Sequence, residues 1–270
     1  MIRQRRSRED AAMEHLTTAT GVTLSYDRFG QGPSLVLVHG SFTDHRTNWQ
    51  FVDDALAAHF TVHALARRGR GETDATRGHS VEDEAADVVA LIGHIAGPVL
   101  LLGHSYGAQV ALAAARLSAS RIRKLVLYEP PVRNSVTDAL MERLEHRAEA
   151  SDWPGFTETF FREVLAMPAD EVEELRQTPL WPQILADAPC TLHDLRAQRR
   201  YEFDAGRFSD LHLPVTMQVG TESPRSLYAT DALLAVLPDA RQQDLDGQGH
   251  DAMLTDPEHY ARQVLAALRA

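Results

Sequence analysis

A chain of 270 residues, 44% hydrophobic and 24% charged, is long enough for one α/β domain with an insertion or for two small domains. Its formal net charge of −11 excludes a nucleic-acid partner, because a phosphate backbone demands a basic surface. One cysteine, Cys190, excludes an intrachain disulfide, and no metal site is expected.

The first ten residues are polar and carry Arg3, Arg5, Arg6 and Arg8; lacking an apolar stretch, they read as a frayed terminus and not a secretory leader. No apolar run is long enough to span a bilayer, so a cytoplasmic protein with no membrane partner is expected. Residues 22–26 alternate as a strand through Val22, Leu24 and Tyr26. Gly30 and Gly32-Pro33 then form a turn. Residues 34–38 are short and continuously apolar, as a strand buried on both faces should be. A short helix over 51–58 and a strand over 60–65 follow. Acidic residues in the first turn mark a helix over 81–95, ended by Gly97-Pro98. A strand over 99–102, a helix over 106–117 and a strand over 122–128 continue the rhythm. The tail repeats it: strand 214–219, helix 231–237, strand 240–245, helix 257–268. Such alternation predicts a mostly parallel sheet with helices on both faces.

One block breaks this pattern. Between about residues 132 and 210 no strand is legible, and helices are predicted over 141–150, 155–165, 170–177 and 192–202, punctuated by five prolines from Pro154 to Pro189. The block reads as a helical insertion lying over the strand ends. Phe42 from the core and Trp153, Phe160 and Trp181 from the block are candidates for the wall of an apolar pocket.

The most specific motif is Gly103-His104-Ser105-Tyr106-Gly107, set between an apolar strand and an Ala-rich helix. G-x-S-x-G in that setting is a nucleophile elbow, whose tight turn presents the serine hydroxyl and aims helix N–H groups at a developing oxyanion. Ser105 needs a base, and elbow hydrolases order their groups serine, acid, histidine. His250, in Gly247-Gln248-Gly249-His250 after the last strand, has the right order and setting.

With these residues the chain resembles the α/β-hydrolase family from about residue 20 to residue 268. The supporting matches are His39-Gly40 after the strand ending at Val38, the turn Arg67-Arg68-Gly69-Arg70-Gly71, the elbow, the Gly-x-Gly-His loop and the helical block. The resemblance implies an eight-stranded, mostly parallel sheet with a helical cap: a terminal extension over 1–18, a core over 19–131 and 211–270, and a cap over 132–210. It implies an oxyanion hole from the backbone N–H groups of Tyr106 and Ser41, with Phe42 as the second choice for the latter. It also implies a structural, hydrogen-bonding role for His39. Two departures stand out. The turn Gly220-Thr221-Glu222-Ser223 has serine where the family has its usual aspartate, so the acid is either Glu222 or Glu129 in Leu127-Tyr128-Glu129-Pro130-Pro131, and Glu129 is preferred. Ala66 replaces the acidic residue that often precedes the Arg-Gly turn, leaving Asp44, Asp74 or Glu72 as partners for the arginines.

The expected activity is cleavage of a small apolar ester or lactone through an acyl-enzyme on Ser105, by a monomer or homodimer that needs no cofactor or metal. A carbon–carbon bond hydrolase, thioesterase or acyltransferase on the same triad, and a non-catalytic small-molecule binding protein, are the alternatives. With histidine as base, activity is expected to fall below about pH 6.

Overall fold

The computed structural model describes residues 11–74, 80–132 and 136–269. The arginine-rich first ten residues lie outside the described ones. Eight strands form one sheet: β1 (Ala12–Thr17), β2 (Thr23–Gly30), β3 (Ser34–Val38), β4 (Thr61–Leu65), β5 (Val99–His104), β6 (Ile122–Tyr128), β7 (Val215–Gly220) and β8 (Ala240–Leu245). Their spatial order is β1-β2-β4-β3-β5-β6-β7-β8. β1 and β2 are antiparallel to each other, β2 is antiparallel to β4, and every later pairing is parallel.

β5 and β7 are buried from end to end and β6 over its last four residues, because helices cover both faces. Along each strand alternate residues feed opposite cores. Val36, Leu101 and Leu125 pack with α2 (Val81–His94) and α3 (Tyr106–Ser118). Leu37, Leu102 and Val126 pack with α1 (Asp53–Ala57) and α10 (Pro257–Arg269). The acidic start of α2 is closed by a reciprocal cap: Ser80 Oγ accepts from the Asp83 N–H, and the Asp83 carboxylate accepts from the Ser80 N–H, each at 3.1 Å.

Between β6 and β7 the described chain is helical: α4 (Asp138–Glu149), α5 (Trp153–Thr159), a wide π-turn over Phe160–Val164, α6 (Ala169–Arg176) and α7 (Trp181–Arg200). These helices share a third apolar core, and Phe42 reaches into it from the loop after β3. The Phe42 ring lies 4.8 Å from Phe160 in an edge contact and 5.0 Å from Phe161. The chain then closes with α8 (Thr230–Leu234) and α9 (Ala252–Thr255), which precedes α10.

Two expectations need correction. β1 was not anticipated, since Ala12–Thr17 is a half-exposed edge strand without apolar alternation, held by its ladder to β2. The last helix of the insertion begins at Trp181, not near Leu192, and continues through Pro189. Proline removes one backbone donor and normally breaks a helix interior. Here Asp187 and Asp194, on either side of it, are each tied to core arginines, and those contacts hold the helix through the defect.

Candidate active site

The loops at the C-terminal ends of β3, β5, β6 and β8 meet over the sheet, the position where open α/β sheets place their sites. Ser105 ends the β5–α3 turn at φ 54°, ψ −126°, a strained conformation that a non-glycine residue holds only when its surroundings fix it. The surroundings do so here. The Ser105 N–H donates to the Tyr128 carbonyl at 2.8 Å, and the Ala108 N–H donates to the Ser105 carbonyl at 2.8 Å. The flanking glycines are steric necessities. A Cβ on Gly107 would lie 2.3 Å from the His39 carbonyl oxygen, and one on Gly103 would lie 2.5 Å from that of Gly107.

His250 sits in the loop after β8, with its side chain mostly covered. Its Nδ1 donates to Glu129 Oε2 at 2.6 Å. Glu129 is fully buried at the end of β6 and itself takes a left-handed φ of 48°. Its other oxygen, Oε1, accepts from the Gly220 N–H at 2.8 Å. The turn after β7 therefore supports the carboxylate instead of supplying one. Glu222 in that turn is exposed, and among the described contacts its side chain does not meet His250.

His250 is further fixed by rings and carbonyl contacts. Tyr228 stacks on it with centroids 5.1 Å apart and planes 17° apart, and His104 Nε2 donates to its carbonyl at 3.0 Å. Tyr128 donates its hydroxyl to the neighbouring Gly249 carbonyl. Burial opposes a charge on His250, but the hydrogen bond and charge of Glu129, aided by the charge of Asp251, outweigh it and raise the pKa above the ordinary 6.5. Neither Tyr228 nor Asp251 carries a sequence signal beyond chain proximity to His250 or to β7.

Ser41 and Tyr106 both flank Ser105, and among the described residues neither backbone N–H donates to a protein acceptor. The Phe42 N–H is different: it donates to Thr191 Oγ1 at 2.9 Å, which removes the second-choice donor. His39 is fully buried and keeps to hydrogen bonding. Its Nδ1 donates to the Gly40 carbonyl at 2.8 Å and its Nε2 accepts from the Arg67 N–H at 3.2 Å. The arginine partners differ from those expected. Arg67 pairs with Glu84 of α2 and Asp194 of α7, Arg70 with Asp187 and Asp194, and Arg68 with Asp87. Asp44 instead turns its carboxylate to Thr47 and the Arg46 N–H.

Ser105 and His250 line a common cavity under the insertion. Phe42 and Phe160 line it, joined by Phe161, Leu165, Leu180, Ile184 and Leu254. Trp153 and Trp181 do not. Trp153 packs edge-on against Phe156 inside the insertion, and Trp181 lies under the Arg176 guanidinium. Their placement was not readable because aromatic content alone does not tell a wall from a core.

An open α/β sheet thus brings a serine on a strained strand–helix turn and a carboxylate-held histidine to the same cavity, an arrangement of the α/β-hydrolase class. Comparison with known proteins agrees with the fold. The model of the alpha/beta hydrolase family matches residues 35–263. N-formylmaleamate deformylase of Pseudomonas putida is 30% identical over 159 residues, covering 57% of this chain and 56% of that protein. The 2-(acetamidomethylene)succinate hydrolase of Mesorhizobium japonicum is 31% identical over 127 residues, covering 46% and 45%. The chain thus spans about half the length of the curated relatives it matches. An alpha/beta hydrolase from Sphaerobacter thermophilus superposes with a TM-score of 0.80 at 28% identity, over 94% of this chain and 100% of that one. This chain belongs to the alpha/beta hydrolase family. No helix among its described residues is long and apolar enough to cross a membrane.

Proposed function

We propose that the protein is a serine hydrolase that cleaves small, neutral, apolar esters or lactones through an acyl-enzyme on Ser105. The observation that carries this reading is the His250–Glu129 contact beside the elbow. With Nδ1 committed to the buried carboxylate, the neutral imidazole leaves Nε2 unprotonated as the base. His250 takes the Ser105 proton as Oγ bonds to the substrate carbonyl carbon. The N–H groups of Ser41 and Tyr106 receive the oxyanion, fixed in place before charge develops. The imidazolium, stabilised by Glu129, then protonates the departing alkoxide. Water repeats the sequence on the acyl-enzyme and frees the acid and Ser105.

The helices between β6 and β7 act as the cap, spanning 132–210, and supply the apolar wall. The substrate class follows from the lining. Among the described residues the cavity contains no Lys or Arg, and its one carboxylate, Asp251, adjoins His250. An anionic acyl tail would lose its hydration without a cationic partner and would meet a like charge. The deformylase and succinate hydrolase relatives are named for substrates that carry carboxylates, so this chain departs from them in tail chemistry while sharing hydrolytic cleavage.

Fluorophosphonate labelling with a p-nitrophenyl ester panel tests the reading. One label per chain on Ser105 is expected, with turnover on the order of 10⁴-fold lower in Ser105→Ala. p-Nitrophenyl butyrate should be preferred to the matched hemisuccinate by about tenfold or more. A folded sample that takes no label would instead be a binding protein on a hydrolase fold. Equal rates on the two esters would remove the neutral-substrate assignment alone.

A further inference from the structure

We propose that helix α7 of the insertion sets the oxyanion hole, with Asp194 and Thr191 as positioning residues for the loop that carries the Ser41 N–H. The inference rests on the serine-hydrolase reading above and adds residues to it that touch neither substrate nor Ser105.

Asp187, Thr191 and Asp194 are spaced i, i+4, i+7 and form one stripe along α7. All three are buried. The stripe meets the loop after β3 at two consecutive residues. Asp194 Oδ2 accepts the Ser41 hydroxyl at 2.7 Å. Thr191 Oγ1 accepts the Phe42 N–H at 2.9 Å while its own hydroxyl donates to Asp187 Oδ2 at 3.0 Å. Phe42 is held at φ 57°, a conformation that favours glycine. The Thr191 contact therefore fixes the peptide between Ser41 and Phe42 from one side and Asp194 fixes the Ser41 side chain from the other. The Ser41 N–H itself donates to no protein acceptor among the described residues.

Arg67 links the same stripe to the opposite half of the hole. Its Nε donates to the His39 carbonyl and its Nη2 to the Gly40 carbonyl, each at 2.9 Å, and its Nη1 and Nη2 bind the two Asp194 oxygens at 3.0 and 2.8 Å. Its guanidinium also lies 4.6 Å over the ring of Tyr106, the residue whose N–H is the other donor. Asp194 of the insertion, together with Glu84 of α2, thus holds the cation that braces both donor-bearing residues. Arg70, pairing with Asp187 and Asp194, locks the stripe to the core. Oxyanion donors act only when held at hydrogen-bond distance from where the charge will form, and small displacements are costly in rate. A clamp of this kind lowers kcat when loosened and leaves ground-state binding almost alone.

The test uses three variants of the full chain: Ser41→Ala, Thr191→Val and Asp194→Asn. Rates are measured on p-nitrophenyl butyrate, normalised to active sites by fluorophosphonate titration, alongside the phosphonylation rate constant and affinity for an alkyl boronic acid. In phosphonylation the Ser105 oxygen bonds to phosphorus, fluoride leaves, and the serine proton passes to His250, so the rate reads the same hole. Ser41→Ala and Thr191→Val should each lower kcat, phosphonylation rate and boronate affinity by about tenfold with KM within about twofold, and Asp194→Asn by about 100-fold. Thr191→Ser should restore Thr191→Val losses. If Asp194→Asn fails to fold, the two milder variants decide. Unchanged kcat and boronate affinity in both would overturn the proposal, as would a rise in KM with kcat held, which marks a pocket-wall role. An unlabelled parent would sink the serine-hydrolase reading and the clamp with it, whereas a labelled parent with equally reactive variants sinks the clamp alone.

Discussion

At the scale of single residues, the environment of His250 sets the pH dependence. Its pKa is raised because Glu129 and Asp251 outweigh the burial that opposes the charge. Only the neutral imidazole can take the Ser105 proton, so kcat/KM should rise with pH to a plateau, with a midpoint above 6.5 and not near 6 as histidine chemistry alone suggests. Glu129→Gln removes the largest stabilising partner of the cation. It should lower the midpoint and cut kcat on the order of 10³–10⁴-fold. Glu222→Gln alters an exposed side chain and should leave both unchanged. Initial rates on p-nitrophenyl butyrate from pH 5 to 9 for the three proteins check this; a profile of Glu129→Gln superimposed on the parent's would remove Glu129 from the triad. Ser105 and His250 could be read from the chain because each stands in a local motif. The choice between Glu129 and Glu222 could not be settled that way, because it depends on which strand end reaches the imidazole. Asp194 carried no local signal, being 127 residues from Arg67 in the chain.

At the scale of elements, backbone crowding explains why the turn around Ser105 was legible and much of the insertion was not. Glycine signals are strict where backbone oxygens close in, as at Gly107, and uninformative where space is open. Gly249 beside His250 is a case of the second kind: nothing lies within 4 Å of a Cβ built there, and its φ is not positive. The loop's conformational need falls on Gly247, at φ +67°. Gly107→Ala should therefore cost about 3 kcal/mol of stability or prevent folding, since the methyl meets rigid carbonyls, while Gly249→Ala should stay within about 0.5 kcal/mol of the parent. Urea unfolding midpoints measure both, and a stable Gly107→Ala would show that the elbow can relax. The same logic accounts for β1 and α7. A half-exposed edge strand leaves no apolar alternation to read, and a proline inside α7 signals a break that long-range ion pairs cancel.

At the scale of the whole molecule, buried histidines tie stability to pH independently of the site. His63 in β4 is buried beside Tyr26, with centroids 6.0 Å apart, and neither ring nitrogen has a hydrogen-bond partner among the described residues. Burial, with the charge of Arg28, pushes its pKa down to about 4. His39 and His104 are pushed well below 6.5 by burial as well. A histidine held neutral in the fold contributes fully above its unfolded pKa of 6.5. That contribution drains as pH falls from 6.5 toward the folded value, because the unfolded chain binds the proton first. For His63 the loss amounts to about 3 kcal/mol by pH 4. The raised pKa of His250 acts in the opposite sense: its stabilisation is complete below 6.5 and fades as pH rises through the folded value. Asp187 and Asp251, raised by burial, likewise gain on acidification. The slope of the parent alone is thus a mixture, and a difference measurement isolates His63. His63→Leu removes a buried polar group that lacks a partner and should be near neutral or mildly stabilising at pH 8. Between pH 6.5 and 4.5 it should retain urea stability that the parent loses, so the two midpoints diverge steadily on acidification. Parallel midpoint curves for the two proteins would mean that His63 is protonated in the fold and that the acid sensitivity lies in the histidines around the elbow.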